Sequence, residues 1–183
     1  MIEVEVRSKV EDFSQLKKEL SHIGARFVKS ERQVDRMFAH PAFMDKEDKP
    51  IDGGFVARMR EIDDKTSFEF KEIIRKGGGI ELQSELSDLD AGLRLLEKTG
   101  WKEGFIVSKI REIYKYKDFE IALDTVEKLG NYIEIERMID SKDKKDAARA
   151  ECAALLNELS PGSVIEHRKY GDMMQDIKNK EDK

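Results

Sequence analysis

Apolar and charged residues alternate along most of this chain, and the period lengthens only where a helix is expected. Glu3-Val4-Glu5-Val6-Arg7-Ser8-Lys9-Val10 sets valines on one face of a strand and Glu3, Glu5, Arg7 and Lys9 on the other. Strands are also predicted over residues 25–38, 55–62, 66–74, 80–86, 106–116, 119–126 and 132–139. Phe13, Leu16, Leu20 and Ile23 at helical spacing predict a first helix, with Asp12 as its N-cap and Gly24 ending it. Two more helices are predicted, over about 88–99 before Gly100 and about 143–159 before Ser160-Pro161-Gly162. Residues 39–54 hold Pro41, Pro50, Gly53 and Gly54 and read as a loop. Gly77-Gly78-Gly79 reads as a hairpin turn, because it lacks the Lys-Ser/Thr ending and following helix of a phosphate loop.

Sorting each strand by parity leaves one face apolar and the other charged. The charged sets are Glu3, Glu5, Arg7 and Lys9; Arg58 and Arg60; Glu69 and Lys71; Glu81 and Glu85; Lys109, Arg111 and Lys115; Glu120 and Asp124; Glu134 and Glu136. A half-solvated antiparallel sheet produces such alternation. These faces, however, concentrate Glu and Arg, and the predicted helices need the apolar faces as a surface to cover. Helices outside put the charged faces inside, and this many strands suffice to close a barrel. The expected fold is α+β, mainly β, with a tunnel lined by both signs of charge. Buried charges have to be paired, hydrated or ligand-bound. The interior is then either an ion-pair network with water or a site for a polyanion together with metal ions. Arginine forks suit phosphate oxygens and carboxylates suit hard divalent cations, the combination used in phosphoryl transfer. A strand–helix–glycine unit recurs three times, from Glu3 through Gly24, Glu81 through Gly100 and Glu134 through Gly162, which suggests duplication inside one domain.

Composition narrows the partners. With 34 basic and 39 acidic residues the formal charge is −5, which argues against broad nucleic-acid binding. No apolar run approaches the roughly 18 residues of a membrane span, and the N-terminus has no signal-peptide pattern. A cytoplasmic protein without nucleic-acid or membrane partners is expected. One cysteine, Cys152, excludes an internal disulfide and a multi-Cys zinc site. His22, His40 and His167 show no metal-ligand or nucleophile–base spacing. Cys152 and Trp101 are read as packing residues, His22 as a cation near a helix C-terminus, and Met173-Met174 as either core or an interface.

Taken in order, the motifs resemble a known family. Glu3-Val4-Glu5-Val6-Arg7 resembles an ExExK strand with arginine in the lysine position, and Lys9 shares its face. Gln33-Val34-Asp35-Arg36-Met37-Phe38 resembles QxDxYF, Ala57-Arg58-Met59-Arg60 resembles a paired-arginine LRxR strand, and Phe68-Glu69-Phe70-Lys71 the strand that follows it. Val107-Ser108-Lys109-Ile110-Arg111 resembles a strand with inward Lys and Arg. Ala122-Leu123-Asp124 through Leu129-Gly130 to Ile133-Glu134-Ile135-Glu136 resembles ALDxV–LGxFxEIE, and His167-Arg168-Lys169-Tyr170 resembles a C-terminal basic segment. These motifs are similar to those of the CYTH domain, the family of CyaB-type adenylate cyclase and thiamine triphosphatase, also called triphosphate tunnel metalloenzymes. The likeness covers roughly residues 1–175 and leaves 176–183 as a polar tail.

The resemblance implies an eight-stranded antiparallel closed barrel, the triphosphate tunnel, with helices packed outside. It implies that Glu3, Glu5, Asp124, Glu134 and Glu136 hold one or two Mg²⁺ or Mn²⁺ ions. It assigns the triphosphate to Arg7, Arg58, Arg60, Lys71, Lys109 and Arg111, with Lys9 sharing the role of Arg7 and Arg168 or Lys169 reaching in from the end. Glu85 is a further inward candidate. Catalysis falls to Glu3, Glu5, Arg58, Arg60, Lys71 and Arg111. The activity expected first is metal-dependent hydrolysis of a small-molecule triphosphate: inorganic, thiamine or nucleoside triphosphate. The alternative is a CyaB-type cyclase that converts ATP to cyclic AMP and pyrophosphate. Cyclases of that class carry a His-Phe pair upstream of ExExK, where this sequence has Met1 and Ile2. A non-catalytic binder of polyphosphate or nucleotides is the third reading, and a homodimer is left open.

Overall fold

The computed structural model describes residues 2–47, 49–74 and 80–181. The expected turn at Gly77-Gly78-Gly79 lies outside them. The elements in chain order are β1 (Ile2–Val10), α1 (Ser14–His22), β2 (Arg26–Ala39), β3 (Gly54–Ile62), β4 (Lys65–Ile73), β5 (Glu81–Leu86), α2 (Leu89–Lys98), β6 (Lys102–Tyr116), β7 (Phe119–Val126), β8 (Gly130–Ile139), α3 (Lys145–Leu159) and α4 (Tyr170–Glu181). Single 3-10 turns occur at Pro41–Phe43 and Lys142–Lys144. The strands form one sheet in the order β1-β8-β7-β6-β2-β3-β4-β5. The registers resolved between neighbouring strands are antiparallel. Among the described residues no ladder joins β1 to β5, so hydrogen bonding does not close the sheet into the expected barrel. No described helix is long and apolar enough to cross a membrane.

Local chemistry accounts for the helix boundaries. Phe13, not the expected Asp12, is the N-cap of α1, and Asp12 Oδ1 one position earlier accepts from the Ser14 amide at 2.6 Å; Asp88 Oδ1 caps α2 by accepting from the Ala91 amide at 2.9 Å. The three glycines of the repeated unit, Gly24, Gly100 and Gly162, follow α1, α2 and α3 with φ of 79°, 91° and 79°. Gly24 and Gly100 directly follow the C-caps in the left-handed conformation that ends a helix, and Gly162 takes it in the Ser160–Ser163 turn beyond the α3 cap; glycine adopts it without a Cβ penalty.

The chain forms two compact units. The first comprises Met1–Glu31 and Lys109–Lys169, and the second Arg32–Ser108 and Tyr170–Lys183. In the first, Val6, Ile121, Leu123, Ile133 and Ile135 face one side of the sheet and bury against Leu16 and Leu20 of α1 and Cys152, Leu155, Leu156 and Leu159 of α3. Cys152 is thus core, as its position in an apolar stripe indicates. In the second, Phe38, Ala57 and Met59 bury with Leu96 of α2, and Trp101 packs against them. The helices cover the apolar faces, as the parity argument requires.

The C-terminus departs from expectation. Residues 176–181 belong to α4 rather than to a tail. Tyr170, Met173, Met174 and Ile177 recur at helical spacing, and the first three are buried. The many polar residues between them mask this stripe in the sequence. Lys178 Nζ ties α4 to the carbonyl of Gly104 at 2.6 Å. Met173-Met174 is therefore core.

Candidate active site

In the first unit, the sheet face opposite α1 and α3 carries a relay of charge across four strands. Strand register builds it: Arg7 lies opposite Glu134, Asp124 opposite Arg111, and Glu5 opposite Glu136, which in turn lies opposite Glu120. Asp124, fully buried on β7, accepts from Lys109 Nζ at 3.0 Å, Arg111 Nε at 2.7 Å and Arg111 Nη2 at 2.6 Å. Arg111 Nη2 also donates to Glu134 on β8. Glu134 accepts from Arg7 Nε at 2.5 Å. Arg7 on β1 donates through Nη2 to Glu5 at 3.2 Å and through Nη1 to the Arg168 carbonyl at 2.9 Å.

The relay sets the protonation of its members. Burial alone would raise the Asp124 pKa, but the Arg111 hydrogen bond and the Lys109 and Arg111 charges overcome it and hold the carboxyl below its ordinary range. Lys109 is pulled down by burial and by neighbouring Arg111, against the pull of Asp124. Glu136 is pushed up to about 7 by burial and by the negative charges of Glu3 and Glu120. A nearby cation would relieve it.

The resemblance implies five metal ligands, and the structure divides them. Asp124 and Glu134 direct their oxygens at guanidinium and ammonium groups, because register brings a cation to each. Glu3, Glu5 and Glu136 lie on two adjacent strands, Glu5 also accepting from Arg7 Nη2, and their carboxylate chemistry fits Mg²⁺ or Mn²⁺. Among the described residues no three His, Cys, Asp or Glu side chains are gathered around one point in the manner of a metal site. Lys9 is exposed, with Nζ 5.9 Å from the centre of the Tyr132 ring. Lys169 is exposed, and the Arg168 guanidinium is bound to Glu166 at 2.7 and 3.0 Å.

The second unit carries its own cationic array, likewise oriented by carboxylates. Arg60 donates to buried Asp35 through Nε at 2.6 Å and Nη2 at 2.7 Å. Arg58 reaches Glu69 through Nε at 3.0 Å and through Nη2, and Asp35 through Nη1 at 3.5 Å. Lys71 pairs with Glu81 at 3.0 Å, both exposed. Glu85 is exposed on edge strand β5, opposite Ser67.

Site reasoning from sequence passed over four residues on these faces: Asp35, Glu69, Glu120 and Tyr132. Strand parity already places all four there, and what they orient becomes visible only across strands.

A family model described as the CYTH domain matches residues 1–170 of this chain. The chain belongs to the CYTH family. This CYTH protein is 30% identical over 164 residues to a Methanocaldococcus jannaschii protein named as a putative adenylate cyclase, with 87% of this chain and 90% of that protein covered. A solved Pyrococcus horikoshii structure matches it with a TM-score of 0.77 and 27% identity, covering 96% of this chain and 99% of that one. A Hippeastrum protein described as a putative adenylyl cyclase with a dominant triphosphatase activity matches with a TM-score of 0.67 over 96% of this chain and 95% of its own, and at 15% identity shows the fold alone.

Proposed function

We propose that this CYTH protein is a divalent-metal-dependent phosphohydrolase acting on inorganic, thiamine or nucleoside triphosphate. The observation that carries the reading is the Lys109–Arg111–Asp124–Glu134–Arg7 relay beside the carboxylates Glu3, Glu5 and Glu136. Its charge balance supports metal dependence. The face carries Glu3, Glu5, Glu120, Asp124, Glu134 and Glu136 against Arg7, Lys9, Lys109, Arg111 and Lys115, so it has no cationic excess to draw in a triphosphate. Under this reading Glu3, Glu5 and Glu136 would hold a divalent ion, which when bound would supply charge neutralisation and Lewis-acid activation.

The chain's own residues do the rest. Asp124 and Glu134 fix the forks of Arg111 and Arg7 in advance, so little reorganisation is needed when negative charge shifts onto the leaving oxygen. Arg111 and Lys109 neutralise phosphoryl oxygens. In the second unit, Arg58 and Arg60, held by Asp35 and Glu69, and Lys71 form a separate cationic array whose chemistry suits phosphate oxygens. The second reading is cyclisation of ATP, favoured by the name of the 30% identical relative.

One assay separates them. Inorganic triphosphate, thiamine triphosphate and ATP are each supplied with Mg²⁺, Mn²⁺ or EDTA, and phosphate and cyclic AMP are measured together. Metal-dependent phosphate release without cyclic AMP is expected. Cyclic AMP with pyrophosphate would establish the cyclase instead. Neither product, with triphosphate still raising Tm, would leave a binding protein.

A further inference from the structure

Among the described residues strand β1 ends the strand order, paired with β8, and at Arg7 and Ser8 the chain after α3 covers its other edge. Ser8 bridges Ile165, Ser8 Oγ donates to the Val164 carbonyl at 2.8 Å, and the Glu166 amide donates to the Arg7 carbonyl at 2.8 Å. The segment then doubles back on itself. The Glu166 carboxylate accepts from the Arg168 amide at 3.0 Å, from Arg168 Nε at 3.0 Å and from Nη2 at 2.7 Å. That turn aims the Arg168 carbonyl at Arg7 Nη1, 2.9 Å away. Each arm of the Arg7 guanidinium is thereby pinned from a different place: Glu134 on β8, Glu5 on β1 and the Arg168 carbonyl.

We propose that Glu166 is a positioning residue for anion binding, acting through Arg168, whose backbone carbonyl holds the Arg7 fork while its guanidinium stays clasped to Glu166. The proposal rests on the reading of Arg7 as a phosphate ligand, and it assigns Arg168 a different part from a guanidinium reaching to phosphate. Releasing that guanidinium means breaking two charge-assisted hydrogen bonds at once. The Arg168 contacts also draw the Glu166 carboxyl down to about 2, so the clasp persists through neutral and mildly acidic pH. Arg7 stands where the ExExK strand has lysine. Lysine offers a rotatable point charge, whereas a planar fork needs its plane fixed, and a third anchor does that.

The test uses the full chain with Glu166→Ala, Glu166→Gln, Arg168→Ala and the Glu166→Ala/Arg168→Ala pair. Two readouts are taken: exchange of the Arg7 Nε proton by NMR, and KM and kcat for inorganic triphosphate with Mg²⁺. Glu166→Ala is expected to speed Arg7 Nε exchange and raise KM about fivefold with kcat little changed, the effect of loosening one charge-assisted contact. Glu166→Gln, which keeps an acceptor, falls between. Arg168→Ala matches Glu166→Ala, and the double variant is no worse than either. A lower KM in Glu166→Ala would overturn the proposal, since it would mean that Arg168 had been freed to bind phosphate. Unchanged Arg7 exchange would overturn it as well. Failure of the wild type to bind triphosphate would sink the functional reading, while the exchange measurement still decides the clasp.

Discussion

Arg111 is the residue on which the relay turns, since it donates to both Asp124 and Glu134. Lysine at that position would keep the charge and lose the fork, leaving Asp124 with fewer donors and Glu134 without its β6 partner. Arg111→Lys is expected to lower kcat/KM for triphosphate by at least about tenfold with Tm shifted only a few degrees. Arg111→Ala leaves Asp124 to Lys109 and Glu134 to Arg7 and is expected to cost about 1–3 kcal/mol in urea unfolding. Glu136 makes the opposite case, a carboxylate with too much negative charge around it. Its folded pKa of about 7 lies above the ordinary 4.5, so folding favours the protonated form. Stability from this group is present below pH 4.5 and lost as pH rises through 7. In EDTA, Glu136→Gln should therefore raise Tm at pH 8 and leave it nearly unchanged at pH 4. A Tm gain of equal size at both pH values would show that Glu136 does not titrate in this window.

At the scale of elements, α2 sits close enough to β3 that one position has little room beyond glycine. A Cβ at Gly92 would stand 2.6 Å from Met59 Cε and 3.0 Å from Leu86 Cδ1. The first of these is the end of a flexible side chain, so alanine is tolerable after a small shift of Met59. Leucine at the same place has to lift the helix from the sheet. Gly92→Leu is expected to cost at least about 1–3 kcal/mol by thermal or urea unfolding, and Gly92→Ala clearly less. Equal costs would mean that backbone freedom, and not space, selects glycine there. The same layer logic operates in the first unit, where α1 and α3 cover the valine–isoleucine face. Those helices hold β1 to β8 in the register that opposes Arg7 with Glu134, so hydrophobic packing on one face positions the charges on the other.

Across the whole molecule, the C-terminal helix is part of the fold. Ending the chain after Lys169 would remove Tyr170, Met173 and Met174 from the core and free the Gly104 carbonyl. The shortened protein is expected to have a lower Tm and faster amide exchange at the start of β6, where α4 is anchored. Unchanged exchange around Gly104 would mean that α4 contributes no local stability. The high charge content has a smaller thermodynamic effect than its abundance suggests. Pairs such as Lys49–Glu47, Lys71–Glu81 and Lys144–Asp140 are exposed, and exposed pairs contribute about 0–1 kcal/mol each.

What the sequence determined by itself was whatever repeats along one strand or one helix. Alternation in Glu3–Val10 and Tyr132–Ile139 assigns each side chain a face without reference to any neighbour, because a strand has a period of two. Glycines such as Gly24 and Gly100 act within a few residues, so those helix C-termini were legible too, whereas the α1 N-cap fell on Phe13 and not on Asp12. The apolar stripe of α4 was present at Tyr170, Met173, Met174 and Ile177 but diluted among polar residues. Only the tertiary structure decided partnership. Parity places Asp124, Glu134 and Glu136 on one polar face and cannot distinguish them. Cross-strand register gives the first two to Arg111, Lys109 and Arg7 and sets the third beside Glu120 and Glu3. Register couples residues more than a hundred positions apart, as Arg7 with Glu134 and with the Arg168 carbonyl. Pairings of that range arise from packing the helices onto the sheet, and no local pattern encodes them.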